Sequence, residues 1–312
     1  MSLAHPELAP SMVCAIVIAY EPDDCSIACI QTVAAGAAHT LIFDNASSEE
    51  RRQKLRALAG PAVTLVEHPE NVGVAAGFNR AIRLAAARGY RWFVLFDQDS
   101  RIEPTTIPQL ARVYSDCRAR LGSRLGFLGC TYQSTLEDGT VLGETAGMSG
   151  GNGWQETELM ITSGTLISDD SFEAIGDFRE DFFIDHVDHD YCLRARRLGY
   201  TLVLTSSPLM VHRLGALRFR RPWQALGNRK LLNYYSPLRR YYQVRNLLVL
   251  AREYEKEFPA NIAALRRGSK REISRALKYE GHFFTILRYV FLARRDSRRG
   301  LLGKFDPARK AL

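Results

Sequence analysis

Short apolar runs alternate with helical stretches along residues 12–100, and this alternation is the feature that most restricts the fold. The predicted strands are VCAIVIAY (13–20), HTLIFD (39–44), AVTLVE (62–67) and RWFVLFD (91–97). The stretches with apolar residues at helical spacing are 24–37, 47–58 and 74–89. Strands that alternate with helices in this way predict a parallel α/β sheet with both faces covered.

The alternation is lost after Ser100, so a different architecture is expected from there on. The predicted elements are a helix near 104–120, strands near 125–130 and at 158–168, and helices near 186–198, 235–257, 260–278 and 280–295. A Gly-rich stretch, GETAGMSGGNGW (143–154), predicts a mobile loop.

The basic residues are concentrated near the C-terminus. Residues 213–312 hold 25 of the 42 Lys and Arg residues but only 7 of the 34 Asp and Glu residues, so they carry a formal charge of +18 and the rest of the chain carries −10. We therefore predict a catalytic domain over 1–215, with halves of about 12–100 and 101–215, and a basic, mostly helical region over 216–312. A nucleic-acid binder would leave the acidic clusters described below unexplained, so no nucleic acid is expected as a partner.

Targeting signals are missing from the sequence. The N-terminal residues lack the basic and long apolar regions of a signal peptide. No segment has the run of about 18 apolar residues that a transmembrane helix needs. The six cysteines contain no CxxC pair, which predicts buried thiols in a reducing compartment. Together these features predict a cytoplasmic protein.

The stretch VLFDQDS (94–100) carries two carboxylates to the end of an apolar strand. In parallel sheets, ligands collect at the carboxyl ends of the strands, where Tyr20, Asp44, Asp97 and Asp99 are all predicted to lie. Mg²⁺ typically binds one or two carboxylates together with the phosphates of a substrate. The functional interpretation is a metal–diphosphate site, and the alternative is a turn or helix cap.

A second acidic cluster comprises Asp185, His186, Asp188, His189 and Asp190. It precedes a helical pattern, so it could be a helix start at which negative charge is favourable. The apolar residues at 182–184 come directly before it and predict that the cluster reaches a cleft.

Several of these segments together resemble the family 2 glycosyltransferases of GT-A fold. The cues are IVIAYEPD, FDNAS, NVGVAAGFNRAI, FDQDS, SGTLIS, FFIDHVDHDYCLRARRLGY, MVHRLG and SPLRRYYQVRN, which span about residues 12–250. The resemblance implies an α/β fold with a Rossmann-like nucleotide-binding sheet, an acceptor-binding half and a helical basic C-terminal region. Within this family, the sequences of these motifs are most similar to those of bacterial rhamnosyltransferases that use dTDP-L-rhamnose.

The resemblance also implies roles for particular residues. Tyr20, Glu21 and Asp44 would contact the base and ribose, and Asn71, Gly73 and Asn79 would lie beside the nucleotide and sugar. Asp97 would lie near ribose and metal, Asp99 would bind Mg²⁺ or Mn²⁺ directly, and His212 would complete the metal shell. Arg240 and Arg245 would bind diphosphate oxygens. The alternatives are a helix cap for Asp44, a turn for Gly73, a structural role for His212 and a solvated helix face for the arginines.

The implied reaction is inverting, metal-dependent transfer of rhamnose to a hydroxyl of a growing cell-surface glycan, such as O-antigen or capsule. Asp188 takes the position of the general base, with Asp185 as the second candidate, because Val187 departs from the usual Glu-Asp pairing. One alternative is a transferase that uses another dTDP- or UDP-sugar. Another is a metal-dependent phosphoesterase built from residues 185–190 with His212.

A lipid-linked acceptor would place the protein on the inner face of the bacterial plasma membrane. The stretch GHFFTILRYVFLARRDSRR (281–299) combines apolar and basic residues, as peripheral binding to an anionic membrane requires. The alternatives are a helix docked on the catalytic domain and a homodimer interface formed by the C-terminal helices.

Overall fold

The structure is a computed structural model of the 312-residue chain. It describes residues 8–135, 141–142, 153–213, 216–219, 231–280 and 282–308. Except for Gly153 and Trp154, the predicted loop at 143–154 lies outside the described residues.

The first part of the chain forms the predicted alternation. Its elements are β1 (Val13–Ala19), α1 (Asp24–Gly36), β2 (His39–Asn45), α2 (Glu49–Arg56), β3 (Val63–His68), α3 (Val74–Ala87) and β4 (Trp92–Asp97). The strands pair in parallel in the order β3-β2-β1-β4, which confirms the predicted parallel sheet for this half. A local signal marks the start of α1, where the Asp23 carboxylate accepts a hydrogen bond from the Ser26 amide at 2.7 Å.

The second half extends the same sheet. Its elements are β5 (Ser100–Ile102), α4 (Thr106–Leu121), β6 (Leu125–Thr135), β7 (Val141–Leu142), β8 (Trp154–Thr157), β9 (Thr165–Ser168), α5 (Asp169–Ile175), α6 (Val187–Arg197) and β10 (Thr201–Arg213). Short 3-10 turns cover Pro10–Met12, Gly122–Arg124 and Glu180–Phe182. The sheet continues from β4 as β9-β6-β10-β5, and β9 runs antiparallel to both of its neighbours.

The strand predicted at 158–168 is wrong over its first part, because only Thr165–Ser168 forms a strand. Gly164, at φ +77°, lies within a turn in which the Thr165 amide donates to the Thr162 carbonyl at 3.1 Å. Met160 is nevertheless buried, so residues 158–161 show strand-like apolar spacing without pairing as a strand. His212 lies within β10.

The C-terminal region contains the three predicted helices, α7 (Pro237–Tyr254), α8 (Pro259–Tyr279) and α9 (Phe283–Arg299). A hairpin of β11 (Ala216–Phe219) and β12 (Leu231–Tyr234) precedes them. Leu250 and Tyr254 of α7 belong to the same hydrophobic core as Phe43 and Phe93 of the sheet. The domain division at residue 215 stays a prediction.

Both faces of the sheet are covered. One core lies between the sheet and α3, α6 and α7, and the other lies on the α1 and α4 side. None of the helices in the described ranges has the length and apolar character needed to cross a bilayer. Cys25 is exposed and Cys29 is partly exposed, so the prediction of buried thiols is wrong for these two cysteines of α1.

Candidate active site

A cleft of about 810 Å³ opens where the carboxyl ends of β1, β2 and β4 meet. Tyr20, Asn45 and Asp97 follow or end these strands and line the cleft. The segment 183–189 that leads into α6 forms another wall, and residues of α7 and α8 complete it. This is the edge at which parallel α/β sheets bind ligands.

Asp97, Asp99 and His212 lie together in this cleft. β4 ends at Asp97 and β5 begins at Ser100, and His212 is placed by its pairing with Ser100 across the antiparallel β10–β5 ladder. One possible ligand atom from each of the three residues lies within 4.8 Å of the others. His212 Nδ1 is 3.5 Å from Asp99 Oδ1 and 2.9 Å from the Ser100 hydroxyl.

This cluster fits a divalent cation. Oδ1 of Asp99 is buried and has no hydrogen-bond partner within the described part of the chain. Burial, together with the negative charge of Asp99, raises the pKa of Asp97 to about 6. A cation would satisfy the Asp99 oxygen and offset the repulsion, and carboxylate oxygens with one imidazole are suitable ligands for it.

Asp188 lies in the first turn of α6 and lines the same cleft. One of its oxygens accepts a hydrogen bond from the His189 amide at 2.8 Å. Its negative charge contributes to the raised pKa of Asp97, so the two carboxylates are within electrostatic range of each other. Among the described side chains it forms no salt bridge with an arginine or lysine.

Asp185 also lines the cleft, but its carboxylate is engaged. Arg239 Nε lies 3.2 Å from one carboxylate oxygen and 3.3 Å from the other. Asp185 is held in the left-handed region, at φ +63°. The Arg239 guanidinium thus occupies both oxygens of Asp185, whereas Asp188 has no such partner among the described side chains, and the choice of Asp188 as the base stays a prediction.

The two histidines of this segment interact with each other. Their Nδ1 atoms lie 2.9 Å apart. Burial and the neighbouring His189 lower the pKa of His186 to about 3, so its ring is neutral. Neither histidine belongs to the cluster that contains His212. The phosphoesterase hypothesis requires residues 185–190 and His212 to form one cluster.

Tyr20 and Glu21 follow β1 and have different surroundings. The Tyr20 ring is 49% exposed at the cleft, and its amide donates to Gln98 Oε1 at 2.7 Å. The Glu21 carboxylate accepts hydrogen bonds from the amide and hydroxyl of Ser48. Glu21 therefore ties the loop after β1 to the start of α2 and does not line the cleft.

Asp44 is fully buried and lies outside the cleft lining. It accepts hydrogen bonds from the Ser47 amide at 3.1 Å and from Arg52 Nε at 3.2 Å. The carboxylate organises the turn that leads into α2, but it does not cap the helix, because the N-cap residue is Ser48 and no side chain accepts a capping hydrogen bond.

Asn71 and Gly73 line the cleft, whereas Asn79 does not. Gly73 has φ +88°, and a Cβ there would lie 2.5 Å from the Phe183 carbonyl oxygen. A glycine is therefore required where the chain passes the 183–189 segment. Asn79 is buried, donates to the Phe178 carbonyl and accepts from the Phe178 amide, which joins α3 to the loop before α6.

Of the two predicted arginines, Arg240 lines the cleft and Arg245 does not. The Arg240 side chain is nevertheless almost completely buried and pairs with Glu280 at 2.7 Å. Arg245 is fully buried and donates to the carbonyls of Phe182 and Gly303. Arg239, which the sequence analysis missed, lines the cleft. Both arginines of the adjacent pair therefore line the cleft, and the sequence gives no sign that Arg239 is the one that pairs with Asp185.

A parallel half-sheet that ends in an Asp-x-Asp turn, extended by a mixed parallel and antiparallel half around a shared cleft, is the architecture of a glycosyltransferase of GT-A fold. The family model Glycosyl transferase family 2 matches residues 14–175, and the chain belongs to this family. Membership decides between the two enzyme hypotheses in favour of the glycosyltransferase.

Similar proteins include one curated relative and two solved structures. The dTDP-rhamnosyl transferase RfbF of Shigella flexneri is 27% identical over 254 residues, which cover 78% of this chain and 81% of the relative. GalNAc-T7, solved with UDP, GalNAc and Mn²⁺, superposes with a TM-score of 0.53 at 11% identity, over 92% of this chain and 54% of that one. TarS of S. aureus superposes with a TM-score of 0.57 at 11% identity, over 96% and 50%. The chain spans about half the length of these two structures, which share its fold.

Proposed function

We propose that the enzyme is an inverting, metal-dependent rhamnosyltransferase that moves L-rhamnose from dTDP-L-rhamnose to a hydroxyl of a growing cell-surface glycan. The observation that carries this proposal is the Asp97–Asp99–His212 cluster in one cleft with Asp188. The choice of donor is supported by the similarity to RfbF, which is named a dTDP-rhamnosyl transferase.

The donor binds along the strand ends. The exposed ring of Tyr20 stacks on the base, and Asn71 and Gly73 lie beside the nucleotide and sugar. Arg239 and Arg240 bind diphosphate oxygens. Four residues that were predicted to bind the donor do not contact it and instead hold the loops that carry the contacting residues. These four are Glu21, Asp44, Asn79 and Arg245.

Asp99, Asp97 and His212 would hold Mg²⁺ or Mn²⁺. When bound, the cation neutralises the negative charge that develops on the departing nucleoside diphosphate.

Asp188 removes the proton from the acceptor hydroxyl. The acceptor oxygen forms a bond to the anomeric carbon as the bond from that carbon to the diphosphate oxygen breaks, and dTDP leaves with the electron pair. Because attack comes from the face opposite the leaving group, the β-linked donor gives an α-rhamnoside. No covalent bond between sugar and enzyme is needed.

A thermal-shift screen of nucleotide sugars tests the donor. We expect dTDP-L-rhamnose with Mn²⁺ to raise the melting temperature by about 5 °C at about 100 times its Kd, because the ligand binds only the folded state. UDP-sugars should give smaller shifts, and EDTA should reduce the dTDP-L-rhamnose shift. A larger shift with a UDP-sugar, or with another dTDP-sugar, would replace the donor but not the class of enzyme.

Helix α9 is docked on one face and exposed on the other. Ile286, Leu292 and Asp296 are buried, and Asp296 accepts a hydrogen bond from the Tyr241 hydroxyl of α7 at 2.8 Å. The opposite face exposes the large apolar side chains of Phe283, Phe284, Leu287 and Phe291. The docked-helix alternative thus accounts for only half of the helix surface.

The exposed face of α9 also carries positive charge. Arg294, Arg298 and Arg299 are exposed, and the one acidic residue of the helix, Asp296, is on the buried side. Apolar side chains next to arginines fit the boundary between acyl chains and anionic headgroups. This face therefore attaches the enzyme to the cytoplasmic membrane surface, next to a lipid-linked acceptor.

Vesicle co-sedimentation tests this attachment. We expect the protein to bind anionic but not neutral vesicles, and to bind more weakly at high salt. The double variant Phe284→Ser, Phe291→Ser should bind at least about 10-fold more weakly, because two phenyl rings that insert into the membrane are lost. Leu198→Ser removes a similarly exposed apolar side chain directly after α6 and should have no effect. If the wild type stays in solution at low salt and the double variant instead dissociates a dimer, α9 is a homodimer interface.

A further inference from the structure

A second cavity, of about 410 Å³, lies next to the catalytic cleft in the second half of the sheet. This volume is within the range of small-molecule sites, about 300–1,000 Å³. Its lining combines aliphatic, aromatic and uncharged polar side chains, which include Leu159, Leu204, Tyr132, Thr131, Gln155 and Ser206.

A β-bulge in β10 shapes this cavity. Leu204 pairs with Gly129 of β6, whereas Pro208 pairs with Thr131, so β10 advances four residues while β6 advances two. The Thr131 amide donates to the Thr205 hydroxyl at 2.9 Å, and that hydroxyl donates to the Ser207 carbonyl at 2.9 Å. Bulges are common next to active sites, where they redirect side chains.

Ser206 lies within the bulge and lines the cavity. Its amide donates to the Gly153 carbonyl at 2.9 Å, which fixes its backbone. Its hydroxyl oxygen is buried and has no hydrogen-bond partner among the residues that the structure describes. An unpaired buried hydroxyl is unfavourable, so a polar ligand group at this position would be stabilised.

The cavity and the catalytic cleft share a wall. Ile161 and His189 line both of them, and His189 directly follows the candidate base Asp188. Tyr132 packs edge-on against His212, with 5.7 Å between the ring centroids. A molecule in the second cavity would therefore be close to both the base and the metal ligands.

We propose that this cavity binds the terminal sugar of the acceptor glycan, an inference that rests on glycosyl transfer as the function of the neighbouring cleft. A pyranose ring has apolar C–H faces, which suit Tyr132 and Leu204, and hydroxyl groups, which suit Ser206 and Gln155. The acyl or prenyl chain of a lipid carrier would leave the Ser206 hydroxyl unpaired and is disfavoured for that reason.

Saturation-transfer NMR tests the proposal with methyl glycosides of rhamnose, glucose, galactose and N-acetylglucosamine, and with farnesyl phosphate as a lipid probe. We expect wild type to bind at least one methyl glycoside. Ser206→Phe, which fills the cavity, should abolish that signal, and Ser206→Ala should weaken binding by about 3- to 10-fold through loss of one hydrogen bond. Ser123→Phe places the same side chain on an exposed turn before β6 and serves as the control.

The outcomes separate this proposal from the proposed donor. A cooperative thermal transition at the wild-type temperature shows that Ser206→Phe is folded. This control and glycoside binding need no donor nucleotide, so a wrong donor would leave the test valid. The proposal is overturned if no methyl glycoside binds to wild type, if glycoside binding survives Ser206→Phe, or if that variant loses farnesyl phosphate instead.

Discussion

Asp99→Ala is expected to abolish metal-dependent donor binding and to lower turnover by about 10³-fold, because a bound cation supplies several kcal/mol of charge stabilisation in the transition state. The fold should be unaffected. Asp99 raises the pKa of its neighbour Asp97, so its removal relieves a repulsion, and the melting temperature in EDTA should stay the same or rise. Isothermal titration with Mn²⁺ and a thermal scan measure the two effects.

Asp116→Ala is a matched control, since it removes an exposed carboxylate from α4 on a different part of the protein. It should leave metal binding and turnover unchanged. Full activity of Asp99→Ala in metal-free buffer would contradict the metal–diphosphate site.

Asp188→Asn is expected to lower turnover by about 10²- to 10⁴-fold with nucleotide affinity nearly unchanged, since the amide keeps the size of the side chain but cannot accept the proton. Steady-state kinetics together with dTDP titration separate these two quantities.

Asp185→Asn should behave differently, because Asp185 is paired with Arg239 at 3.2 Å. Loss of this pair changes the position of a guanidinium in the cleft, so the expected defect includes weaker donor binding. If Asp185→Asn loses turnover with intact nucleotide affinity and Asp188→Asn does not, the base is Asp185.

The first half of the sheet, over residues 12–100, could be predicted almost element by element. Strands β1, β2 and β4 are buried apolar runs and α1 begins at the Asp23 cap, so this information lies within a few neighbouring residues. The segment at 158–168 could not be predicted in the same way. Gly164 adopts a positive φ against Cys130 of β6, and that contact comes from distant pairing.

The candidate site shows a similar limit. Strand ends could be located from the sequence, and this placed Asp97 and Asp99 in the cleft. The environment of Asp44 depends on Arg52, and that of Asn79 depends on Phe178, which lies 99 residues further along the chain. Because of these partners, Asp44 and Asn79 hold neighbouring segments in place and do not line the cleft. Only the tertiary structure reveals such partners.

The stereochemistry of donor cleavage tests the proposed function most directly. Proton NMR would follow dTDP-β-L-rhamnose and Mn²⁺ with the enzyme during the first minutes of slow hydrolysis, before the released sugar mutarotates. An inverting, metal-dependent enzyme releases dTDP and α-L-rhamnose, and EDTA stops both. Release of β-L-rhamnose first, or release of dTDP that EDTA does not slow, would show that the reaction is not the one proposed.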